Sequence, residues 1–241
     1  MTEANRFGLF LPSLLVSIGI ALAGYFIGQT LYNSKVGINT SEVKGLAERR
    51  VEADRSYWQI QYTVSGESKD AIPALYEQSK SAQSRIIAVL GESGFAESEI
   101  SPGVVDYSRV EFRDENQKLV DERFLLVGSI EVDTDKVRLV SQARAKLNGL
   151  IAEGIDIKNN PPSYYFTKLN DIKPEMLKEA TTNARLAANE FASNAGVEVG
   201  GIRDARQGGF TIVDVGENYG DTRKIEKDVR VVTTITFYLT K

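Results

Sequence analysis

The residues of this chain that could do chemistry are carboxylates, lysines, tyrosines and serines, because the sequence contains no histidine and no cysteine. Thiolate nucleophiles, Ser-His triads, imidazole bases and zinc or haem sites built on those ligands are therefore excluded. A carboxylate pair of the kind that hydrolyses glycosides stays open, but no spacing in the sequence selects one pair over another. We expect no catalytic residue, no cofactor and no bound metal, and hence a protein that is not an enzyme.

Two stretches have a composition that also occurs in binding sites. Acids and bases are interleaved in DYSRVEFRDENQKLVDER, residues 106–123, which favours a solvated hairpin over a calcium loop with its fixed ligand spacing. The run PPSYYF, residues 161–166, has the aromatic content of a platform for sugars or bases. Because Tyr165 and its neighbours alternate along a predicted strand, we expect them to be divided between the core and the sheet surface.

Two glycine pairs, Gly200-Gly201 and Gly208-Gly209, do not form a dinucleotide-binding fingerprint. That fingerprint opens a helix after a strand, whereas these pairs follow a predicted helix and flank the segment IRDARQ. We expect bends or bulges at both pairs.

The overall composition is that of an ordinary globular protein, with 42% hydrophobic and 26% charged residues in a chain of 241. This length suits one large or two small packed units. The net charge of -4 argues against nucleic acid as a partner, since nucleic-acid binders carry a basic surface.

Residues 7–28, FGLFLPSLLVSIGIALAGYFIG, carry no charge and are long enough to cross a membrane as a helix. The alternative is a cleaved signal peptide, with Arg6 as its basic flank and Ala21-Leu22-Ala23 as its cleavage motif. We predict an uncleaved single-pass anchor, because apolar residues continue past that motif.

Gly24 and Gly28 have the spacing of a self-association motif, although small residues are also frequent in membrane helices generally.

The orientation in the membrane is weakly defined by charge. Arg6 precedes the span, and Lys35, Lys44, Arg49 and Arg50 follow it, so a positive-inside count alone would keep the C-terminal part in the cytoplasm. Long folded domains cross membranes largely regardless of charge. We therefore expect an extracytoplasmic domain.

Periodicity predicts an α+β fold, with antiparallel or mixed sheets and helices on one side. In the first clear strand, Trp58, Ile60, Tyr62 and Val64 share one face. The elements that follow complete a β-α-β-β-α-β order, which is that of a ferredoxin-like unit. They are a helix from residue 70, a hairpin turning at 114–116, a helix capped at 134 or 135 and a strand at SYYF. The two helices are expected to bury Ile72, Leu75, Tyr76, Ser79, Ala82, Ile86 and Leu90, and Val137, Val140, Ala143, Leu147 and Ile151.

A further helix and two strands are predicted to follow. The helix begins near Pro174 and ends at Gly196, and Leu186 lies on its polar face. Arg185 flanks the buried face, where its stem can cover apolar surface and its charge can pair with a carboxylate. The predicted buried face consists of Leu177, Ala180, Ala184, Ala187, Ala188, Phe191 and Ala195. The closing strand buries Val229, Val231, Thr233, Ile235, Phe237 and Leu239.

Three stretches, VKGLAERRVEADRSYWQIQYTVSGES, EATTNARLAANEFASNAGVEVGGI and VTTITFYLT, together resemble the SIMPL-domain family over about residues 42–241. That family is long catalogued as a domain of unknown function. The resemblance implies a cell-envelope protein whose C-terminal domain is periplasmic. Some bacterial members are linked to oxidative-stress tolerance or are periplasmic antigens, and one assembles into a large ring-like or channel-like oligomer. A mammalian relative is a kinase-associated signalling protein. The family offers no catalytic residues that could be transferred to this chain.

We therefore expect a tail and membrane anchor, or signal segment, at 1–33, a linker at 34–41 and a SIMPL domain at 42–241. The predicted function is that of a membrane-anchored envelope protein acting by homo-oligomeric assembly or binding, linked to envelope or oxidative-stress tolerance. Its expected partners are further copies of itself and the membrane, and any small-molecule ligand is undefined. The alternative is a carboxylate-dependent hydrolase of the cell envelope whose cleft the sequence does not identify.

Overall fold

The computed structural model of the protein describes residues 4–35 and 39–240. Three short parts lie outside the described residues. They are residues 1–3 at the start of the predicted tail (1–33), residues 36–38 in the middle of the predicted linker (34–41) and the C-terminal Lys241. The rest is an α+β structure with antiparallel sheets, as predicted. It divides into a first unit, formed by Met1–Ala47, Leu177–Gly209 and Val231–Lys241, and a second unit, formed by Glu48–Met176 and Phe210–Arg230.

The elements follow the predicted order with a few additions. The helices are α1 (Ala4–Lys35), α2 (Ile72–Glu92), α3 (Val137–Asn148) and α4 (Leu169–Asn194), and short 3-10 turns lie at Lys69–Ala71, Glu97–Glu99 and Gly149–Ile151. The strands are β1 (Thr40–Glu52), β2 (Arg55–Gly66), β3 (Ile100–Pro102), β4 (Asp106–Arg113), β5 (Leu119–Thr134), β6 (Asp156–Asn159), β7 (Ser163–Tyr165), β8 (Glu198–Gln207), β9 (Thr211–Asp214) and β10 (Glu226–Thr240).

The second unit contains a six-stranded antiparallel sheet whose central strands are β2 and β5. Its path is β3-β5-β2-β6, with β4 also paired to β5 and β7 also paired to β2. A ferredoxin-like unit places its first and third main strands at the centre in this way. The predicted β-α-β-β-α-β arrangement is therefore confirmed. The strand predicted at SYYF is the short β7, and β6, which precedes it on the same edge of β2, and β3 are strands that were not predicted.

Helices α2 and α3 cover one face of this sheet, as predicted. The indole of Trp58 is fully buried, and its Nε1 donates a hydrogen bond to the Asn160 carbonyl at 3.0 Å, so that the polar atom is satisfied. The apolar core around it includes Ile60, Tyr62, Ile86, Leu90, Ile130, Val132, Val140, Ala143 and Leu147. The alternation along β2 is thus confirmed.

Two of the predicted core positions in these helices are wrong. Tyr76 is exposed, and Lys80 lies over its ring at 4.7 Å, because the inward row of α2 passes through Leu75 and Ser79 instead. Ile151 is exposed as well. The chain tightens into a 3-10 turn after α3, and that change of period directs Leu150 into the core in place of Ile151.

A close contact between β2 and β5 involves Tyr62 and Gly128. The two residues are directly paired across the strands, and a Cβ added at Gly128 would lie 2.1 Å from Cζ of the Tyr62 ring. The Tyr62 hydroxyl is buried and has no hydrogen-bond partner in the described part of the chain. Gly128 therefore provides the space that the ring occupies.

In the first unit, α4 packs on strands through a row of alanines that is narrower than the predicted face and excludes its members Ala187, Phe191 and Ala195. Ala180, Ala184, Ala188 and Ala192 are buried at four-residue intervals, whereas Ala187 and Phe191 are exposed. The reason lies in β1, where a Cβ at Gly45 would come within 1.8 Å of the Ala180 carbonyl oxygen. Only one narrow row of small side chains fits such a close approach.

The start of α4 differs from the prediction, whereas its end agrees with it. The helix begins at Leu169, so Pro174 lies inside it rather than in its first turn. It ends at Asn194, and Gly196 follows with a φ of 69°, as expected for a glycine that terminates a helix. Leu186 is exposed, as predicted, and the Arg185 guanidinium lies 5.5 Å from the centre of the Phe237 ring. The carboxylate partner predicted for Arg185 is not found among the described residues.

Strand β10 alternates as predicted, with Val231, Thr233, Ile235 and Phe237 buried in the first unit. There β10 pairs antiparallel with β8 on one edge and with β1 on the other. The pairing with β8 shifts register twice. The first shift lies next to the pair of Phe237 with Ile202, and the second lies between that pair and the pair of Leu239 with Val199. Gly200-Gly201 lies within the second shift, so the predicted bulge is confirmed for this pair.

Candidate functional site

The hairpin of β4 and β5 extends beyond the rest of its sheet and carries a group of exposed apolar side chains in the second unit. β2 ends opposite Phe124, which also pairs with Arg109 of β4, so residues 110–123 continue as a ribbon of two strands without a third. We call the whole hairpin segment, residues 106–123, the ribbon arm. Its turn is closed by Asp114, whose Oδ1 accepts hydrogen bonds from the amides of Asn116 and Lys118, both at 2.9 Å. The predicted solvated hairpin is thus confirmed.

The ribbon arm exposes large apolar side chains that no described residue covers. Phe112 is 48% exposed and Val120 is 67% exposed. The exposed set also includes Tyr107, Val110 and Leu119. A two-stranded ribbon is marginally stable by itself in water, and grouped apolar residues on a surface mark interaction sites. The arm therefore has the properties of a contact surface.

Along β4, the charged side chains and two of the apolar side chains lie on opposite faces of the ribbon arm. Arg109, Glu111 and Arg113 alternate along β4, and Glu111 accepts hydrogen bonds from both arginines, with 2.6 Å to Nη2 of Arg113. These hydrogen bonds from Arg113 and the charge of Arg109 lower the pKa of Glu111. Val110 and Phe112 occupy the other face because side chains alternate along a strand. The charges on that face of β4 thus neutralise one another, while Val110 and Phe112 lie on the opposite face beside Arg123 and Asp121 of β5.

The outer edge of β4 is open. β4 pairs with β5 from Asp106 to Arg113, and no other described strand pairs with it. An open edge presents unpaired backbone N–H and C=O groups, which are a template for another strand. The sequence revealed the hairpin but not this edge, because strand order depends on contacts that are distant along the chain.

A second feature is an acidic groove of 410 Å³ in the second unit. Asp54, Glu99, Asp133 and Asp135 line it, together with Arg55, Thr134, Thr167 and Lys168. Four carboxylates thus line one groove. In the described residues no group of three or more acidic side chains is arranged to hold a metal ion.

The groove carboxylates are held by cations and hydroxyl groups. Asp133 accepts two hydrogen bonds from Arg55, at 2.7 and 2.6 Å, and these lower its pKa against the opposing effect of burial. Burial would raise the pKa of Glu99, but hydrogen bonds from Lys136, Thr134 and the Ala96 amide outweigh it and lower the pKa. Both groups are therefore ionised acceptors at neutral pH, not proton donors.

The aromatic run PPSYYF is divided between core and surface, as predicted. Tyr164 is buried, and Tyr165 is 40% exposed on the sheet face that carries Tyr57. A hydrogen bond to Glu131, followed by burial, raises the pKa of Tyr57 to about 12. Tyr57 and Tyr165 lie on the polar outer face of the sheet, and their rings are not stacked into a platform.

The N-terminal helix α1 contains Gly24 and Gly28, the residues predicted to support self-association. In the described residues, one helix is long and apolar enough to cross a membrane, over Phe10–Ser34 with a mean hydropathy of 2.0. A Cβ added at either glycine would meet no atom within 4 Å, so this face of α1 is open. A membrane anchor and a signal sequence share this length and composition.

Comparison with known proteins identifies the family. Residues 41–236 match the model of the family described as SIMPL, a protein of unknown function (DUF541). No curated protein matches the chain significantly. Because the matched range covers most of the sequence, the chain belongs to the SIMPL family.

Proposed function

We propose that this protein is tethered to a membrane of the cell envelope through α1 and acts by homo-oligomeric assembly of its folded part. The observation that carries the proposal is the ribbon arm, whose apolar side chains and strand edge have no partner among the described residues. A stable contact needs a group of buried aliphatic or aromatic side chains, which Val110, Phe112 and Val120 would supply.

Two further observations support assembly. Leu186 is exposed on the outer face of α4, and Gly24 and Gly28 leave one face of α1 open. Helices in one membrane can associate closely through such glycines. We place the folded part outside the cytoplasm, and we assign α1 the smaller share of the association. A role in envelope or oxidative-stress tolerance belongs to the same proposal, as the function that an assembled envelope protein would serve.

Light scattering on the full chain in detergent tests the proposal. We expect a defined oligomer at tens of micromolar protein, with a stable interface of about 1,200 Å² or more. A variant with Gly24→Leu and Gly28→Leu should keep that oligomer, because the folded part supplies most of the contact. A monomeric parent protein would contradict assembly. Loss of the oligomer in the double variant would shift the main contact to α1.

The alternative proposal is a carboxylate-dependent hydrolase, and the acidic groove is where it would act. Such an enzyme needs one carboxyl group that stays protonated near neutral pH. The pKa values of Glu99 and Asp133 are lowered, which favours structural roles for these two groups. Release of sugar from cell-wall material by the parent protein but not by a Glu99→Gln variant would favour hydrolysis over assembly as the function.

A further inference from the structure

We propose that two copies of the chain pair through the outer edge of β4, antiparallel and about a two-fold axis at Val110. The inference rests on the proposed assembly and identifies its contact surface. Each copy would add a strand to the sheet of the other, which joins the two ribbon arms into a four-stranded ribbon. Backbone hydrogen bonds across open edges are a common mode of association between chains.

The length of β4 and the charges on it select this register. With the axis at Val110, residues 107–113 of one copy lie opposite residues 113–107 of the other, all within the strand. With the axis at Phe112, only residues 111–113 would pair inside the strand, and the rest would meet the turn at Asp114. An axis at Arg109 would also keep seven residues, 106–112, within the strand, but it would place the two Arg109 side chains directly opposite each other. Like charges directly opposite are destabilising, so the register centred on Val110 is favoured.

The side chains on β4 complement themselves in that register. Arg109 lies opposite Glu111 of the second copy, and the symmetry repeats this ion pair. Tyr107 lies opposite Arg113 of the second copy, a combination that allows the guanidinium to stack on the ring. Val110 meets Val110, and the two Phe112 side chains extend the apolar strip at both ends. Opposite charges and apolar groups placed directly across two strands stabilise a sheet.

The charge pattern distinguishes an association edge from a protected one. Edges that resist pairing are blunted by charged residues, lysine above all, which repel when two copies approach. β4 instead alternates Arg109, Glu111 and Arg113 along one face, so an antiparallel copy brings unlike charges together. The other free edge of the arm, at residues 119–123 of β5, is shorter and contains a register shift beside Phe112. It offers a poorer template.

Cysteine cross-linking on the full chain in detergent tests the register. The chain has no native cysteine, so Val110→Cys introduces a single thiol. Two copies of residue 110 would face each other at about 5 Å between Cα atoms, within disulfide range. Phe112→Cys is the matched control, because its two copies would lie four residues out of register, about 13 Å apart.

We expect mild oxidation to convert Val110→Cys into a covalent dimer at least about tenfold faster than Phe112→Cys, since only the first pair is within disulfide range. Equal rates, or a faster reaction of Phe112→Cys, would overturn the proposed register. An oligomeric parent in which Val110→Cys stays unlinked would refute this interface while leaving assembly itself intact. A monomeric parent would refute both.

Charge reversal gives an independent test. Arg109→Glu places glutamates opposite each other at both symmetric positions, so dimer formation should weaken about tenfold at low salt. Adding Glu111→Arg to the same chain restores unlike pairs and should recover the dimer. Circular dichroism confirms that both variants are folded. Failure of the double variant to recover association, or a single variant that associates like the parent, would overturn the pairing.

Discussion

The ammonium group of Lys227 lies 2.5 Å from Oδ1 of Asp214, and the two side chains are 0% and 1% exposed. Lys227 also donates to the Asp221 carbonyl at 2.6 Å, and the second Asp214 oxygen accepts the Arg223 amide at 2.8 Å. Burial would raise the pKa of Asp214, but the Lys227 hydrogen bond and backbone amides outweigh it and lower the pKa. The buried Lys227–Asp214 ion pair therefore holds the loop between β9 and β10 in place.

Replacing Lys227 with methionine should destabilise the protein by about 3–5 kcal/mol, because Asp214 would keep a buried charge without its counterion. Chemical denaturation of the full chain in detergent measures the change. A variant that combines Lys227→Met with Asp214→Asn removes the uncompensated charge and should recover part of the loss. Equal unfolding midpoints for Lys227→Met and the parent would show that the pair is not buried as described.

Tyr57 should ionise later than an ordinary tyrosine. Its pKa is raised to about 12, so the stabilisation that its protonated hydroxyl provides is complete below about 10, the usual tyrosine value, and is lost as the pH rises towards 12. Near-ultraviolet titration of the parent minus a Tyr57→Phe variant isolates this step. Glu131→Gln should move the midpoint back towards about 10. A Tyr57 midpoint near that ordinary value in the parent would rule out the contact with Glu131.

The adjacent positions Ala187 and Ala188 should respond in opposite ways to glutamate. Ala188 is buried in the row that faces the strands, so Ala188→Glu introduces overpacking and an unpaired charge and should cost several kcal/mol, on the order of 3 or more. Ala187→Glu is the matched control on the exposed side and should change stability by less than about 0.5 kcal/mol. Thermal melting compares the two variants, and a larger loss for Ala187→Glu would reverse the assignment of the helix face.

The protein should fractionate with membranes and require detergent for release, because the apolar part of α1 spans Phe10–Ser34. Mass spectrometry of the protein from native membranes distinguishes an anchor from a signal segment. An anchored chain retains residues 1–23, whereas a mature protein that begins at Gly24 would establish cleavage after Ala23. In that case the folded part alone would have to account for any association.

Local patterns determined most of the fold and little of the candidate site. The alternation around Trp58 and along β10 predicted the buried faces correctly, because each face depends on neighbours within the same strand. Ala187 was misplaced because the inward row of α4 depends on Gly45, which lies far away in sequence. The open edge of β4 and the Lys227–Asp214 pair could not be predicted for the same reason: pairing partners, not residue types, create them.

The fit of Tyr62 against Gly128 has an evolutionary consequence. Any side chain at position 128 would collide with the ring, so that position can vary only in a chain where residue 62 has already become smaller. The reverse order is permitted, because a smaller residue at 62 leaves only a void. Substitutions at the two positions should therefore covary with a fixed order along a family tree. Reconstructed ancestral sequences of SIMPL proteins should show position 62 shrinking before position 128 acquires a side chain.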